Sequence, residues 1–346
     1  MKRVLYISAL VIFSLCCLSL QGQERKYPVV FYNVENLFDT LKTPNVYDEE
    51  FTPDGVNKWN SAKYWKKISN LEQVFYGIAS AAKSYPTIIG VAEIENRNVL
   101  EDVVAAKSLQ KANYQIVHYD SPEARGVDVA LFYRPDQFKY IGSKPIRTVV
   151  EGLPDFKTRD ILMVWGTIED ELFHVFVCHW PSRRGGQFES EARRVGAAKT
   201  VRNAVDSVTK INPSTKIIIM GDLNDDPIDK SINITLGAKG KAKEVTESDL
   251  FNPFYELFKS GYGTLAYQDA WNLFDNIIVN ENLLNSRTGK IKLYKSDSYK
   301  YMGYIFDKPF LRQQSGQFKN YPFRTYVGTS FQGGYSDHFP VFIYLK

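Results

Sequence analysis

Apolar and polar positions follow two rhythms along this chain, and they place most elements before any chemistry is considered. YPVVFYNV (27–34) and TIIGVAEI (87–94) are β-branched and aromatic runs of the length and composition of strands. Between them, from Ser61 to Ser84, Trp65, Ile68, Leu71, Phe75, Ile78 and Ala82 recur three and four residues apart. That spacing predicts an amphipathic helix with those six side chains facing inward. Strand-type runs then follow closely: YQIVHY (114–119), VDVALFYR (127–134), FKYIG (138–142), RDILMVWGTIE (159–169) and LFHVFVCHW (172–180). A second long helix is predicted from about Glu189 to Lys210, with Val195, Ala198, Val201, Val205 and Val208 inward and its Arg and Asp residues, Arg193 and Arg194 among them, on the solvated face. TKIIIMGDLN (215–224) reads as a buried strand ending in acid, Asp226 to Gly263 as short helices and loops, and DNIIVNENLL (275–284) and a closing run at 335–345 as the last strands.

Many strands, two long helices and no linker rich in Pro or Ser predict one domain of two sheets packed face to face with helices outside. Polar residues collect where the strands end. Asn33 and Glu35 follow the first strand, Glu93 the second and His179 a third. Asp222 and Asn224 follow a fourth, Asp275 opens a fifth, and Asp337 with His338 precede the last. The loops at one end of a sandwich cluster in space, so strand boundaries carrying Asn, Asp, Glu or His predict a common site.

Composition and charge change this picture at the amino terminus. Met1-Lys2-Arg3, the apolar run VLYISALVIFSLCCLSL and Gly22 read as a secretory signal over residues 1–22, leaving a single domain over 23–346. Export removes Cys16 and Cys17, so Cys178 has no partner for an internal disulfide. Stability then rests on the core, for which 44% hydrophobic residues suffice. Loss of Lys2 and Arg3 takes the formal charge from +4 to +2, which leaves no global electrostatic footprint for nucleic acid. Four His, at 118, 174, 179 and 338, and one remaining Cys argue against a dedicated zinc site of the Cys and His type.

The ordered set YNVENL, VAEIEN, CHWPS, GDLND, DNIIV and SDHFPV resembles the endonuclease/exonuclease/phosphatase superfamily, from about Tyr27 to Lys346. The resemblance implies an α+β fold, a four-layer α/β/β/α sandwich of two mostly antiparallel sheets with outer helices. It also implies hydrolysis of a phosphate ester with Mg²⁺, Mn²⁺ and Ca²⁺ being the alternative ions. By the same resemblance Asn33, Glu35, Glu93 and Asp337 lie near the metal. Asp222 orients or deprotonates the attacking water, Asn224 holds the phosphate, His338 is the catalytic His and Asp275 orients its ring. His179, where abasic-site repair enzymes of this superfamily carry Tyr, argues with export against chromosomal repair. ARGVDVALFYR resembles the segment that presents polar groups to the phosphate, making Arg125 and Asp128 secondary candidates beside the reading of Arg125 as turn dressing.

The residue types support this chemistry without the analogy. Carboxylates and an amide oxygen form the hard oxygen cage that Mg²⁺ prefers, and an Asp-His pair fixes an imidazole tautomer that moves a proton near neutral pH. Glu95 rivals Glu93, because regular strand geometry points residues two apart to the same face. Arg183 and Arg184, on a Gly-rich loop before the second helix, are placed to meet a phosphate backbone. The late aromatics, Tyr294 to Phe331, read mostly as core filling. The expected activity is a nuclease-like phosphodiesterase, with nucleic acid among the candidate phosphate-ester substrates and no obligate protein partner. The alternatives are a phosphatase or lipid phosphodiesterase acting on inositol phosphate or sphingomyelin-like substrates, and a catalytically silent binding module.

Overall fold

The computed structural model describes residues 25–285 and 289–346, so the expected leader at 1–22 lies outside the described residues. Strands are numbered in chain order. The first sheet contains β1 (Tyr27–Leu37), β2 (Ile88–Ile94), β3 (Gln115–His118), β4 (Asp128–Tyr133), β14 (Tyr304–Ile305) and β17 (Val341–Leu345), in the order β14-β17-β1-β2-β4-β3. The second contains β5 (Lys139–Ile146), β6 (Ile161–Ile168), β7 (Glu171–His179), β8 (Lys216–Asp222), β9 (Ala238–Lys239), β10 (Leu250–Phe251) and β13 (Asp275–Asn280), in the order β5-β6-β7-β8-β13-β10-β9. Two small hairpins, β11 (Leu265–Tyr267) with β12 (Ala270–Asn272) and β15 (Tyr326–Val327) with β16 (Ser330–Phe331), decorate one end. Most pairings are antiparallel; β1 with β2, β7 with β8 and β9 with β10 are parallel.

Alternation along the strands builds the layers. Val29 and Phe31 of β1 pack with Val177, Met220 and Ile277 in the space between the sheets, whereas Val30 and Tyr32 turn outward onto the Ser61–Ala82 helix. Ile217 and Ile219 of β8 likewise face the Gln187–Ile211 helix, through Ala197, Ala198, Val201 and Val205. The result is the α/β/β/α sandwich. The sheets approach so closely at Gly90 that an added Cβ would stand 2.4 Å from the Met220 sulfur.

Both helices differ in detail from the spacing argument. Asn60 caps the first, its side chain accepting from the Lys63 N–H. Its buried stripe runs through Tyr64, Ile68, Leu71, Phe75 and Ile78, while Trp65 is 54% exposed. Residues 64 and 65 differ by about 100° around the axis, and the smaller ring points inward while Trp65 packs edge-on against it. In the second helix Arg194 is wholly buried instead of solvated, because Asp225 beneath it supplies a carboxylate at 2.7 Å. Val195 and Val208 are only half-buried. The late aromatics largely fill space: Tyr304 stacks on Phe342, and Phe306 is buried. Among the described residues no helix is long and apolar enough to cross a membrane.

Candidate active site

Sheet register alone assembles half of the site. His179 at the end of β7 pairs with Asp222 at the end of β8, and Asp222 pairs with Asp275 at the start of β13. Three chemically active residues therefore stand in one row across adjacent strands, all buried. The first sheet supplies the facing wall from irregular backbone. The β1–β2 register shifts between Asn33 and Leu37, and that of β2 with β4 shifts between Ala92 and Ile94. Glu35, Asn36, Glu93 and Asn224 all adopt positive φ, at 53°, 50°, 65° and 50°. Left-handed backbone costs a non-glycine residue about 1–2 kcal/mol, and such strain concentrates at functional sites.

The kink at Glu93 separates it from Glu95. The Glu93 carboxylate accepts from the Asn33 side-chain amide at 3.2 Å and the Asn36 N–H at 3.0 Å. Glu95 instead accepts from the Asp39 N–H and the Thr43 hydroxyl, both at 2.7 Å, and anchors a loop. Burial pushes its carboxyl up to about 7.

Asp222 is the hub. Its Oδ1 accepts from the Asn224 N–H, and its Oδ2 accepts from the Asn33 amide, both at 3.0 Å. The same Oδ2 lies 3.6 Å from His179 Nε2 and 3.8 Å from His338 Nε2, while Glu93 Oε1 is 3.9 Å from His179 Nε2. These gaps exceed hydrogen-bond distance, so imidazoles and carboxylates converge without closing on one another. His179 Nδ1 and Asp275 Oδ1 are buried without hydrogen-bond partners.

The two imidazoles are driven in opposite directions. Burial, aided by Arg159, Arg125 and His338, holds His179 well below its ordinary range, so it is neutral. His338 Nδ1 meets Asp275 Oδ2 at 2.7 Å, and Asp275 and Asp222 together overcome burial and hold His338 well above the usual range. Asp222 is pushed up to about 6, chiefly by burial, with His338 opposing and Asp275 adding. Titratable neighbours pushed apart in this way mark division of acid and base roles.

The other expected site residues are distributed around this centre. Asn224 donates its side-chain amide to the Trp180 carbonyl. Arg125 and Arg184 line a cleft of about 330 Å³ with Glu93, His179, Asp222, Asn224 and His338. Asp337 is half-buried and binds Arg324 at 2.9 Å, 4.0 Å from His338. Three expectations meet other partners. The Glu35 carboxylate accepts from the Thr325 N–H at 2.6 Å and pairs with Arg324 at 3.4 Å. Arg183 does not face the cleft as a free cation, because Asp225, Asp226 and Asp229 surround it at 3.2, 3.3 and 2.7 Å. Asp128 is not among the cleft residues; it lies at the foot of β4, accepting from the Ser121 N–H and hydroxyl.

Sequence reasoning missed four participants. Arg159, buried at the entry to β6, donates to the carbonyls of His179 and Trp180 at 3.2 and 2.7 Å and so fixes the end of β7. Its place at a strand boundary was the available signal. Arg193 lines the cleft wall and lies over the Phe156 ring. Lys67, 1% exposed in the first helix, donates to Thr325 Oγ1 and the Tyr335 carbonyl, both at 2.6 Å. Burial lowers Lys67 to about 8 and raises Glu35 to about 7. Arg324 completes this network, and no local pattern marks it.

The carboxylates of the site fit a hard divalent cation: oxygens of Glu93 and Asp222 lie within 4.8 Å of each other, with the Asn33 amide beside both. Comparisons with known proteins identify the family and the fold. A family model described as Endonuclease/Exonuclease/phosphatase family matches residues 28–346. No curated protein matches the chain in sequence. Among solved structures, a mannosyl-6-phosphatase from Bacteroides thetaiotaomicron is 15% identical, covers 92% of this chain and 99% of its own, and superposes with a TM-score of 0.52. D. rerio TDP2 complexed with single strand DNA product is 11% identical over 93% of this chain and 100% of its own, TM-score 0.53. The human Nocturnin catalytic domain with bound sulfate anion is 14% identical over 93% and 94%, TM-score 0.52. Identities this low establish a shared fold.

Proposed function

The chain belongs to the endonuclease/exonuclease/phosphatase family, and from that premise and its cleft we propose that it is a divalent-metal-dependent phosphoesterase that hydrolyses phosphodiesters in the manner of a nuclease. One observation carries the reading. Two carboxylates and two oppositely tuned imidazoles converge across gaps of 3.6 to 3.9 Å, wide enough to share a guest and too wide to satisfy one another. Glu93 and Asp222, with Asn33 beside them, would hold the cation, Mg²⁺ by the hardness of the donors. When bound it polarises the phosphoryl oxygens and adds positive charge to the site.

The protein's own groups account for the remaining work. Asp222 accepts a proton from the attacking water; the water oxygen bonds to phosphorus as the bond to the leaving oxygen breaks. Its carboxyl, raised to about 6 by burial, is basic enough for this and still ionised at neutral pH. His338, kept protonated by Asp275, donates from Nε2 to a phosphoryl oxygen. Neutral His179 adds no competing charge, and its backbone is fixed by Arg159. Arg125, Arg184 and Arg193 at the rim offset the substrate's charge. Export through residues 1–22 belongs to the same proposal: protein recovered outside the cytoplasm is expected to begin at Gln23.

A second reading, hydrolysis of a small phosphomonoester, is favoured by the modest cleft volume and by the phosphatase among the fold's relatives. Nicking of supercoiled plasmid and phosphate release from a sugar phosphate, both assayed with Mg²⁺, separate them. Nicking abolished by chelator and by His338→Ala supports the first reading. Phosphate release alone transfers the same site to the second. Neither activity from folded, metal-loaded protein refutes both.

A further inference from the structure

Outside the cleft, β3 ends at His118 and β4 begins at Asp128, and the loop between them carries Arg125 to the cleft rim. The two stems of that loop contain a second constellation. The His118 side chain is 5% exposed, and its Nε2 has no hydrogen-bond partner. It points at Asp128 Oδ2, 3.4 Å away, and at Asp120 Oδ1, 3.9 Å away. Asp128 Oδ1 is engaged by the Ser121 N–H and hydroxyl, which orients Oδ2 toward the imidazole. Ligand atoms of all three residues come within 4.8 Å of one another.

A buried imidazole nitrogen without a partner needs an explanation. The 3.4 Å separation is long for a hydrogen bond. It matches the edge of a tetrahedron, about 3.3 Å, between ligands roughly 2.0 Å from a central metal. We propose that His118, Asp120 and Asp128 form a second cation site, for a divalent first-row transition ion such as Zn²⁺. One imidazole nitrogen with two carboxylates suits such an ion better than Mg²⁺, which favours oxygen alone. This revises the expectation drawn from scarce His and Cys, which addressed sites built from several of those residues. The ion would staple the two stems of the 119–127 loop and hold Arg125, itself braced by Glu123, at the mouth of the cleft.

Cobalt binding tests this, because Co²⁺ in a tetrahedral site absorbs visible light far more strongly than in an octahedral one. The full chain carrying Glu93→Gln, to weaken the cleft's own cation, is titrated with Co²⁺ and followed by absorption and equilibrium dialysis. One strongly absorbing equivalent is expected, with affinity lowered at least about tenfold by adding Asp120→Asn and lost with His118→Gln. The Asp120 side chain is 89% exposed, so that variant keeps the fold even if His118→Gln does not. No strongly absorbing equivalent, or binding indifferent to Asp120→Asn, overturns the proposal and leaves an imidazole–carboxylate contact only.

Discussion

Two clusters of buried charge lie on either side of the Asp222–Asn224 turn. In one, every acid faces a guanidinium: Arg194 meets Asp225, and Arg183 lies among Asp225, Asp226 and Asp229 while stacking on Phe274. In the other, the nearest ring nitrogens to Glu93 and Asp222 belong to imidazoles at 3.6 Å or more, and the backbone at Glu93 and Asn224 is left-handed. The first cluster is electrostatically closed and ties the Gln187–Ile211 helix to the loop after β8. The second is held open by the fold. Buried charge by itself therefore says little about function. What distinguishes the clusters is whether the charges answer one another.

That contrast is open to attack from both sides. Arg194→Ala removes the cation from a closed cluster and strands Asp225, so it should destabilise the protein by about 3–5 kcal/mol, the range for breaking a buried ion pair. Denaturant unfolding measures it, and an unchanged midpoint would mean the cluster is not structural. Asp222→Ala should do the reverse, lowering kcat on the order of 10² or more, or about 2.7 kcal/mol or more in barrier, with little change in unfolding midpoint; His338→Ala should lower kcat as far, but it also strands the buried Asp275 carboxylate and so lowers the midpoint as well. The pH profile sharpens the point. Asp222 must be ionised to take a proton, so the rate should fall as pH drops below about 6. A cation beside it favours the carboxylate and moves that limb to lower pH. A rate that rises on acidification contradicts the assignment.

Smaller effects test the geometry. Glu93→Ala should weaken divalent-cation binding about tenfold or more, whereas Glu95→Ala, which loses contacts to Asp39 and Thr43, should change it little. The reverse order in a metal titration would move the ligand to Glu95. Smallest of all, Arg184→Ala removes an exposed rim cation and should raise KM several-fold with kcat nearly unchanged, an effect that fades at high salt.

The strand ends were legible in the sequence because long apolar runs announce their own limits, so Asn33, Glu93, His179, Asp222, Asp275 and His338 stood out as polar residues at boundaries. Register then brings His179, Asp222 and Asp275 side by side without further instruction. What periodicity does not contain is which distant segment arrives over a given side chain. Arg194 looks solvated until Asp225 is placed under it, and nothing near Glu35 in sequence announces that Arg324 and Thr325 reach it from the far end of the chain. Lys67 is buried by contacts more than 250 residues away. Period-two reasoning also fails at Glu95, because the backbone kink at Glu93 interrupts the alternation on which it depends.

The central claim is that the open cluster is a metal-dependent phosphoesterase site, and turnover of bis(p-nitrophenyl) phosphate by the chain lacking residues 1–22 tests it most directly, in Mg²⁺, in chelator and with His338→Ala. The account predicts hydrolysis that chelator abolishes and that His338→Ala reduces on the order of 10² or more. Hydrolysis that survives chelation, or a His338→Ala protein turning over at the wild-type rate, would contradict it.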